Sequence, residues 1–304
     1  MTALDTPPAA APARESDSTV RRALAALRHD PLAVVGTLVL LVLLVVGVAG
    51  RWLAPAGIND IDVDGMLRPP SLDHPFGTDE LGRDVLSRVL VAARVSLEVG
   101  LVSVGIALLV GVTVGLLAGW YRGWADNVLM RAMDVLFAFP VLLLAVAIVA
   151  VLGPGLVTAM VAIGVVYTPI FARVTRAGVL SVREQVFIRA AISIGASDLR
   201  IIRRHVLPNI AAPLIVQTSL SLAFAILSEA ALSFLGLGVQ PPAPAWGRML
   251  YDGRGFVTDA WWLGVFPGAA IFLTVLAFNL VGDALRDVLD PRQLTVGEAR
   301  RSTG

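Results

Sequence analysis

The sequence predicts an all-α membrane protein with six transmembrane helices and both termini in the cytoplasm. Three observations predict it. Of its 304 residues, 57% are hydrophobic and 15% charged, against about 45–50% and about 25% in soluble domains. The apolar excess is gathered into uncharged runs long enough to cross a bilayer as helix, which takes about 20 residues. Arginine density alternates between the segments that join those runs, as expected where basic residues are retained on the cytoplasmic side.

Taken in order, Thr6 to Ser18 is rich in Ala and Pro and reads as disordered. Val20, Leu24 and Leu27 then share a helical face, with Arg21, Arg22 and Arg28 elsewhere. This suits either a short amphipathic helix on the membrane surface or a positive leader that orients the first span. Residues 1–30 are assigned to a cytoplasmic tail. Leu32 to Gly50 carries no charge and forms the first span, assigned 31–54. It begins too far into the chain, and runs too long, for a cleaved signal peptide.

Residues 55–94 form an extracytoplasmic loop punctuated by Pro and Gly, from which a helix starts at about Asp84. The five-helix core, 95–290, opens with the second span, Val99 to Tyr121. Val135 to Ala172 is uncharged for about twice the length of one span, and Gly153-Pro154-Gly155 breaks it into the third and fourth. Ala211 to Leu235 is the fifth, interrupted by Glu229, and Ala260 to Gly282 is the sixth. The tryptophans at 246, 261 and 262, in and beside the second outer segment, suit a membrane interface. Residues 291–304 form a second cytoplasmic tail. With the N-terminus inside, most of the 24 arginines fall on cytoplasmic segments, while Asp60, Asp62, Asp64, Asp79, Glu80 and Asp252 fall outside.

Several chemistries are excluded. There is no Cys, so there are no disulfides, thiolate metal sites or cysteine nucleophiles. All basic residues are Arg, so a phosphate loop ending in Gly-Lys-Ser/Thr cannot form, and this chain binds no ATP itself. His29, His74 and His205 lie in separate segments, which disfavours a metal cluster. A net charge of +1 leaves no nucleic-acid footprint. Gly111 and Gly115 make a small-residue pair suited to close helix packing.

The basic cytoplasmic loop, 173–208, is the most organised connector. Val182 to Ile194 reads as a helix with Phe187, Ala191 and Ile194 on one face. Gly195 permits a turn, Ser197 or Asp198 can cap a second helix, and Leu207-Pro208 ends it. In that second helix Leu199, Ile202 and Val206 share a face. A helix–glycine–helix across an inner face fits a groove on a soluble partner. Glu229, the one acid well inside a span, reads either as a structural bond at a helix break or as part of a gate or pathway.

Three stretches carry a resemblance. Ala190-Ala191, then Gly195, then Leu207-Pro208 resembles the EAA loop of ABC importer permeases. His74 to Asp84, HPFGTDELGRD, is similar to the signature of the dipeptide/oligopeptide/nickel permeases, specifically their second, C-type subunit. Ser228 to Gly238, SEAALSFLGLG, is similar to the same family. At the position of the family's Glu this chain has Arg189, and where an Ile stands two residues before Leu207 it has His205.

The resemblance implies a type I ABC importer permease fold in a prokaryotic cytoplasmic membrane. It implies a coupling loop built from Arg189, Ala190, Ala191, Gly195, Ser197, Asp198, Leu207 and Pro208 that seats in a cleft on an ATPase subunit. The implied partners are a homologous permease, two ATPase subunits carrying ATP and Mg, and an extracytoplasmic substrate-binding protein. The implied cargo is di- or oligopeptide, with a nickel chelate or glutathione as alternatives within the family. A secondary transporter is the rival from another class.

Overall fold

The computed structural model describes residues 30–289. The helix expected over 20–28 and the 291–304 tail lie outside the described residues. Helix α1 (Pro31–Leu53) opens on Asp30, whose carboxylate accepts the Leu32 N–H at 2.9 Å, with Pro31 in the first turn, where no donor is needed. Helix α2 (Val85–Tyr121) is capped by Asp84, which accepts the Ser87 N–H at 2.8 Å. Then follow α3 (Gly123–Phe137), α4 (Val141–Leu152), α5 (Leu156–Arg183), α6 (Val186–Ser193), α7 (Asp198–Ile201), α8 (Leu207–Phe234), α9 (Trp246–Gly253) and α10 (Trp262–Leu289).

Five of these segments are long and apolar enough to span a membrane, α7 and α8 counting as one continuous segment; the spans are six if α3 and α4, bent by 92°, form one broken span. The break differs from the straight third span the sequence suggests. Helix α4 has 12 residues, about 18 Å of rise, which is too short to cross alone. Pro140 has no N–H to continue the ladder from α3, so the chain turns there and a new helix starts with Leu144 N–H on the Pro140 carbonyl. The break at Gly153 to Gly155 falls where expected, between α4 and α5.

Close packing rests on small residues. A Cβ built on Gly111 would lie 2.5 Å from the Phe171 Cβ, and one on Gly115 would lie 2.5 Å from the Ala172 carbonyl oxygen. Gly119 continues the stripe against Val179, so α2 and α5 form the most intimate pair in the bundle. Helix α1 docks by Gly36 on α10 and by Gly47 and Gly50 on α2, while the rest of it is largely exposed.

Buried side chains form three tiers. The middle tier holds Val99, Ile163, Tyr167 and Phe171. One end, which carries residues 54–84 and 235–261, is filled by Val85, Trp246, Trp262 and Leu263. The other, the loop end, is filled by Trp120, Val179, Ile188, Ile201, Val206 and Ile210.

Candidate functional site

At the loop end α5 runs on to Arg183, so the expected 182–194 helix is split. Arg173 and Arg176 are helix residues paired with α3: Arg173 donates to Asp134 at 2.8 Å, and Arg176 forks onto Asp126 at 2.6 and 2.7 Å. After Glu184 the chain restarts as α6. This helix ends in a Schellman motif, with the Gly195 N–H on the Ile192 carbonyl at 2.9 Å and the Ala196 N–H on the Ala191 carbonyl at 3.1 Å. Gly195 sits at φ +77°, the left-handed conformation that a side chain resists. Ala191 and Ala196, which flank the motif, both pack on the loop-end core.

Ser197 occupies the N-cap position of α7, but its side chain makes no capping bond. Leu207-Pro208 does not end the second helix as the sequence suggests. Residues Ile202–Val206 form a π-turn in which the Leu207 N–H reaches the Ile202 carbonyl, and the helix continues into α8. The wider turn makes room for Pro208, whose ring would otherwise press on the carbonyl four residues back.

The buried faces also differ from expectation. Phe187 and Ile194 point outward, 45% and 84% exposed, and Ile188 is the α6 anchor. In the second helix the buried residues are Ile201, Val206 and Ile210, with Leu199 exposed. Their spacing of five and then four residues marks the π-turn. A wheel of 3.6 residues per turn therefore places Ile202 and Val206 on the core side, where they are found, but puts Leu199 there wrongly and misses Ile201. Val186, Ile192, Ile194 and Leu199 are exposed apolar residues of this loop, as Arg200, Arg203 and Arg204 are exposed basic ones.

Arg189 reaches the Glu184 carboxylate at 3.4 Å, and Arg122 donates to the same carboxylate at 2.7 Å. The Arg122 hydrogen bond holds the Glu184 carboxyl below its ordinary value. All three groups are solvent-exposed, so these pairs orient the start of α6 and contribute little stability.

The opposite end is a tightly bonded corner. His74 Nδ1 lies 2.9 Å from an Asp84 oxygen. Asp79 accepts from Arg83 Nε at 2.6 Å and from the backbone N–H groups of Leu81 and Arg83. Phe76 stacks on Phe266 with centroids 3.8 Å apart. Trp246 donates to the Val89 carbonyl at 3.0 Å and Trp262 to that of Thr78 at 2.9 Å. These two tryptophans are core posts, not interfacial anchors; of the three the sequence singles out, Trp261 alone is exposed. The tip of the corner exposes Leu72, Val63, Ile61 and Trp52.

Glu229 is fully buried in α8. Its Oε1 accepts from Ser233 Oγ at 2.6 Å, and Ser233 Oγ in turn accepts the Val239 N–H at 3.1 Å. Its Oε2 has no partner among the described residues. Glu229 and Ser233 thus tie the end of α8 to the turn that follows. Gly238 passes so close to Ser233 that a Cβ there would overlap its hydroxyl. Among the described residues no group of three or more His, Asp or Glu is placed to hold a metal ion.

Residues 111–295 match the model of the binding-protein-dependent transport system inner membrane component. Residues 18–70 match the N-terminal TM domain of oligopeptide transport permease C. The chain is 46% identical over 272 residues to the dipeptide transport system permease protein DppC of Alkalihalophilus pseudofirmus, an alignment covering 90% of each. It is 48% identical over 266 residues to the glutathione transport system permease protein GsiD of Escherichia coli, covering 87% of this chain and 88% of that one. Among solved structures it is similar to a chain of the MetNI methionine ABC transporter, with a TM-score of 0.55 and 19% identity over 67% of this chain and 96% of that one.

Proposed function

We propose that this chain, which belongs to the family of binding-protein-dependent transport system inner membrane components, forms half of the path by which short peptides enter a cell. The membership makes it a multi-pass permease subunit of a bacterial ABC importer. The remainder is our reading. Both termini and the 184–206 loop face the cytoplasm, and the loop couples the spans to an ATPase subunit. A homologous permease completes the path, two ATPase subunits hold ATP and Mg, and an extracytoplasmic binding protein delivers cargo to the 55–94 corner. This chain contributes no catalytic group and no cofactor.

The observation that carries this reading is the construction of the loop end. Ile188, Ile201 and Val206 lock the loop onto the ends of α2, α5 and α8, while the apolar side chains of Val186, Ile192, Ile194 and Leu199 are left exposed in a segment that also exposes arginines. Exposed apolar side chains of this kind suit a cleft on a soluble partner. Because the root of the loop is buried among three spans, a push on the loop moves those helix ends together.

Each motif residue then has a task. Gly195 makes the turn, Ala190 keeps the docking face low, and Ala191 seats α6 on the loop-end core. Ser197 and Asp198 start the second arm, Leu207-Pro208 passes it into α8, and Arg189 orients α6 through Glu184. Glu229 braces the far end of α8. Di- and oligopeptides are the proposed cargo because one relative is named for dipeptide and another for glutathione, itself a short peptide.

The test is reconstitution of the whole complex in proteoliposomes with its binding protein. Uptake of a labelled dipeptide should require both ATP and the binding protein, and the permease should co-purify with ATPase subunits. Uptake driven by an ion gradient without ATP would make the chain a secondary transporter. Competition by glutathione at lower concentration than dipeptide would transfer the cargo assignment.

A further inference from the structure

A groove of about 890 Å³ lies between α1, α2, α8 and α10, in the half of the spans nearer the loop end. Its walls are apolar, with Leu40, Leu109, Leu214, Phe278 and Leu285 among them. Its three hydroxyls are already committed. Thr113 donates to the Leu109 carbonyl, Thr218 to that of Leu214 and Ser219 to that of Val216. The groove therefore has no uncommitted side-chain donor for a peptide backbone, which rules against it as the route of the cargo. Gly105 lies on its wall, and a Cβ built there meets nothing within 4 Å.

Exposed arginines precede one wall of the groove. Leu207 lines it at the start of α8, and Arg203 lies one turn earlier, next to Arg204. Leu285 lines it from α10, where Arg286 stands between the exposed Asp283 and Asp287. Arg200, Arg203 and Arg204 together line a notch of about 340 Å³ with Ser197. Arg203, Arg204 and Arg286 are exposed and form no ion pair among the described residues. An apolar groove whose α8 wall begins one turn after the exposed Arg203 and Arg204 has the form of an anionic-lipid site.

We infer that this groove holds the acyl chains of an anionic phospholipid, with its phosphate on Arg203 and Arg204. The leaflet assignment rests on the orientation proposed above, which makes it the cytoplasmic one. Arginine suits the headgroup because its guanidinium forks onto phosphate oxygens. The lipid would fill the space between α1 and α8 and tie the root of the loop to the membrane surface.

The test uses the assembled complex in mild detergent, supplied with phosphatidylglycerol or phosphatidylcholine and read by native mass spectrometry. The wild type should retain phosphatidylglycerol in preference. Arg203→Gln with Arg204→Gln should keep bound lipid but lose that preference by about fivefold per arginine removed. Gly105→Phe should fill the groove and expel both lipids without touching the arginines. Added inorganic phosphate should not displace the bound lipid, since the acyl chains hold it. Unchanged preference in the double variant, unchanged lipid in Gly105→Phe, or lipid bound to the isolated subunit but absent from the complex would each overturn the inference. ATP-dependent uptake measured on the same preparations separates its failure from failure of the transport reading.

Discussion

Gly195 separates two effects that are usually confounded in a turn. Its φ of +77° strains any side chain, by roughly 1–2 kcal/mol for an L-residue, and less for Asn. Yet a Cβ there has nothing within 4 Å and Gly195 is exposed, so within this chain Ala meets the strain without a clash and a Trp ring has solvent to turn into. If the turn seats in a partner's cleft, Trp must add an overpacking cost of about 1–3 kcal/mol that Ala does not. At 1.4 kcal/mol per factor of ten, this is a further loss of roughly 5-fold to more than 100-fold in the productively docked fraction. The series Gly195→Asn, Gly195→Ala and Gly195→Trp should therefore be graded. Asn should stay near wild type, Ala should show a modest loss, and Trp should insert in the membrane but fail to link ATP hydrolysis to uptake. Hydrolysis and uptake are measured side by side in proteoliposomes. Equal coupling by the Ala and Trp variants would refute the docking argument, because strain alone does not depend on side-chain size here.

Gly115→Leu should lower the melting temperature of the purified protein, because its Cβ would lie 2.5 Å from the Ala172 carbonyl oxygen and 2.6 Å from the Thr175 Cβ; overpacking of this kind costs about 1–3 kcal/mol, and Gly105→Ala, which meets nothing, serves as the unchanged control. Glu229→Gln keeps the acceptor for Ser233 and removes the charge of a carboxylate whose Oε2 has no partner among the described residues, so the complex should still assemble while uptake drops; wild-type uptake would exclude a charge-dependent role for Glu229. Burial raises the Glu80 carboxyl above its ordinary value, so the fold binds that proton more tightly than the unfolded chain does. Its stabilising contribution is complete below about pH 4.5 and is lost as pH rises through the folded value. The melting-temperature advantage of Glu80→Gln over wild type should accordingly be absent in acid and grow toward neutrality.

The spans were legible because a bilayer forces long uncharged runs, and Gly153-Pro154-Gly155 could only be a break. The Gly111–Gly115 stripe was legible for a similar reason, since close approach leaves few residue choices. The loop was legible in its turn but not in its faces. Gly195 announces a left-handed position locally, whereas the π-turn at Ile202–Val206 is a compromise between Pro208 and a helix held at both ends. That conflict brings Ile201 into the core beside the expected Val206 and leaves Leu199 out of it. Trp246 and Trp262 misled for a different reason. Tryptophan prefers the interface on average, but both residues find a backbone carbonyl inside a corner that only the fold brings together. Pro140 carried a usable signal for the bend between α3 and α4, masked by the uncharged run that surrounds it.

The same backbone compromise locates the compliant part of the molecule. The far end is cross-braced by Asp79, Trp246, Trp262 and the Glu229–Ser233 tie. The loop end is a packed cluster around Ile188 and Ile201. Where that cluster passes into α8, a π-turn is followed by two prolines, Pro208 and Pro213, which cannot donate to the carbonyls of Arg204 and Asn209. A helix bends most easily where its ladder is missing rungs, so motion of the loop should be absorbed there before it reaches the braced end. Pro213 is exposed, and replacing it with Ala leaves no cavity while restoring one backbone bond. Pro213→Ala should therefore raise the melting temperature and lower the turnover of ATP-driven uptake, because a stiffer α8 resists the bend. A variant that is more stable and transports at the wild-type rate would place the hinge elsewhere, and the prolines at 169 in α5 and 267 in α10 would be the next positions to substitute.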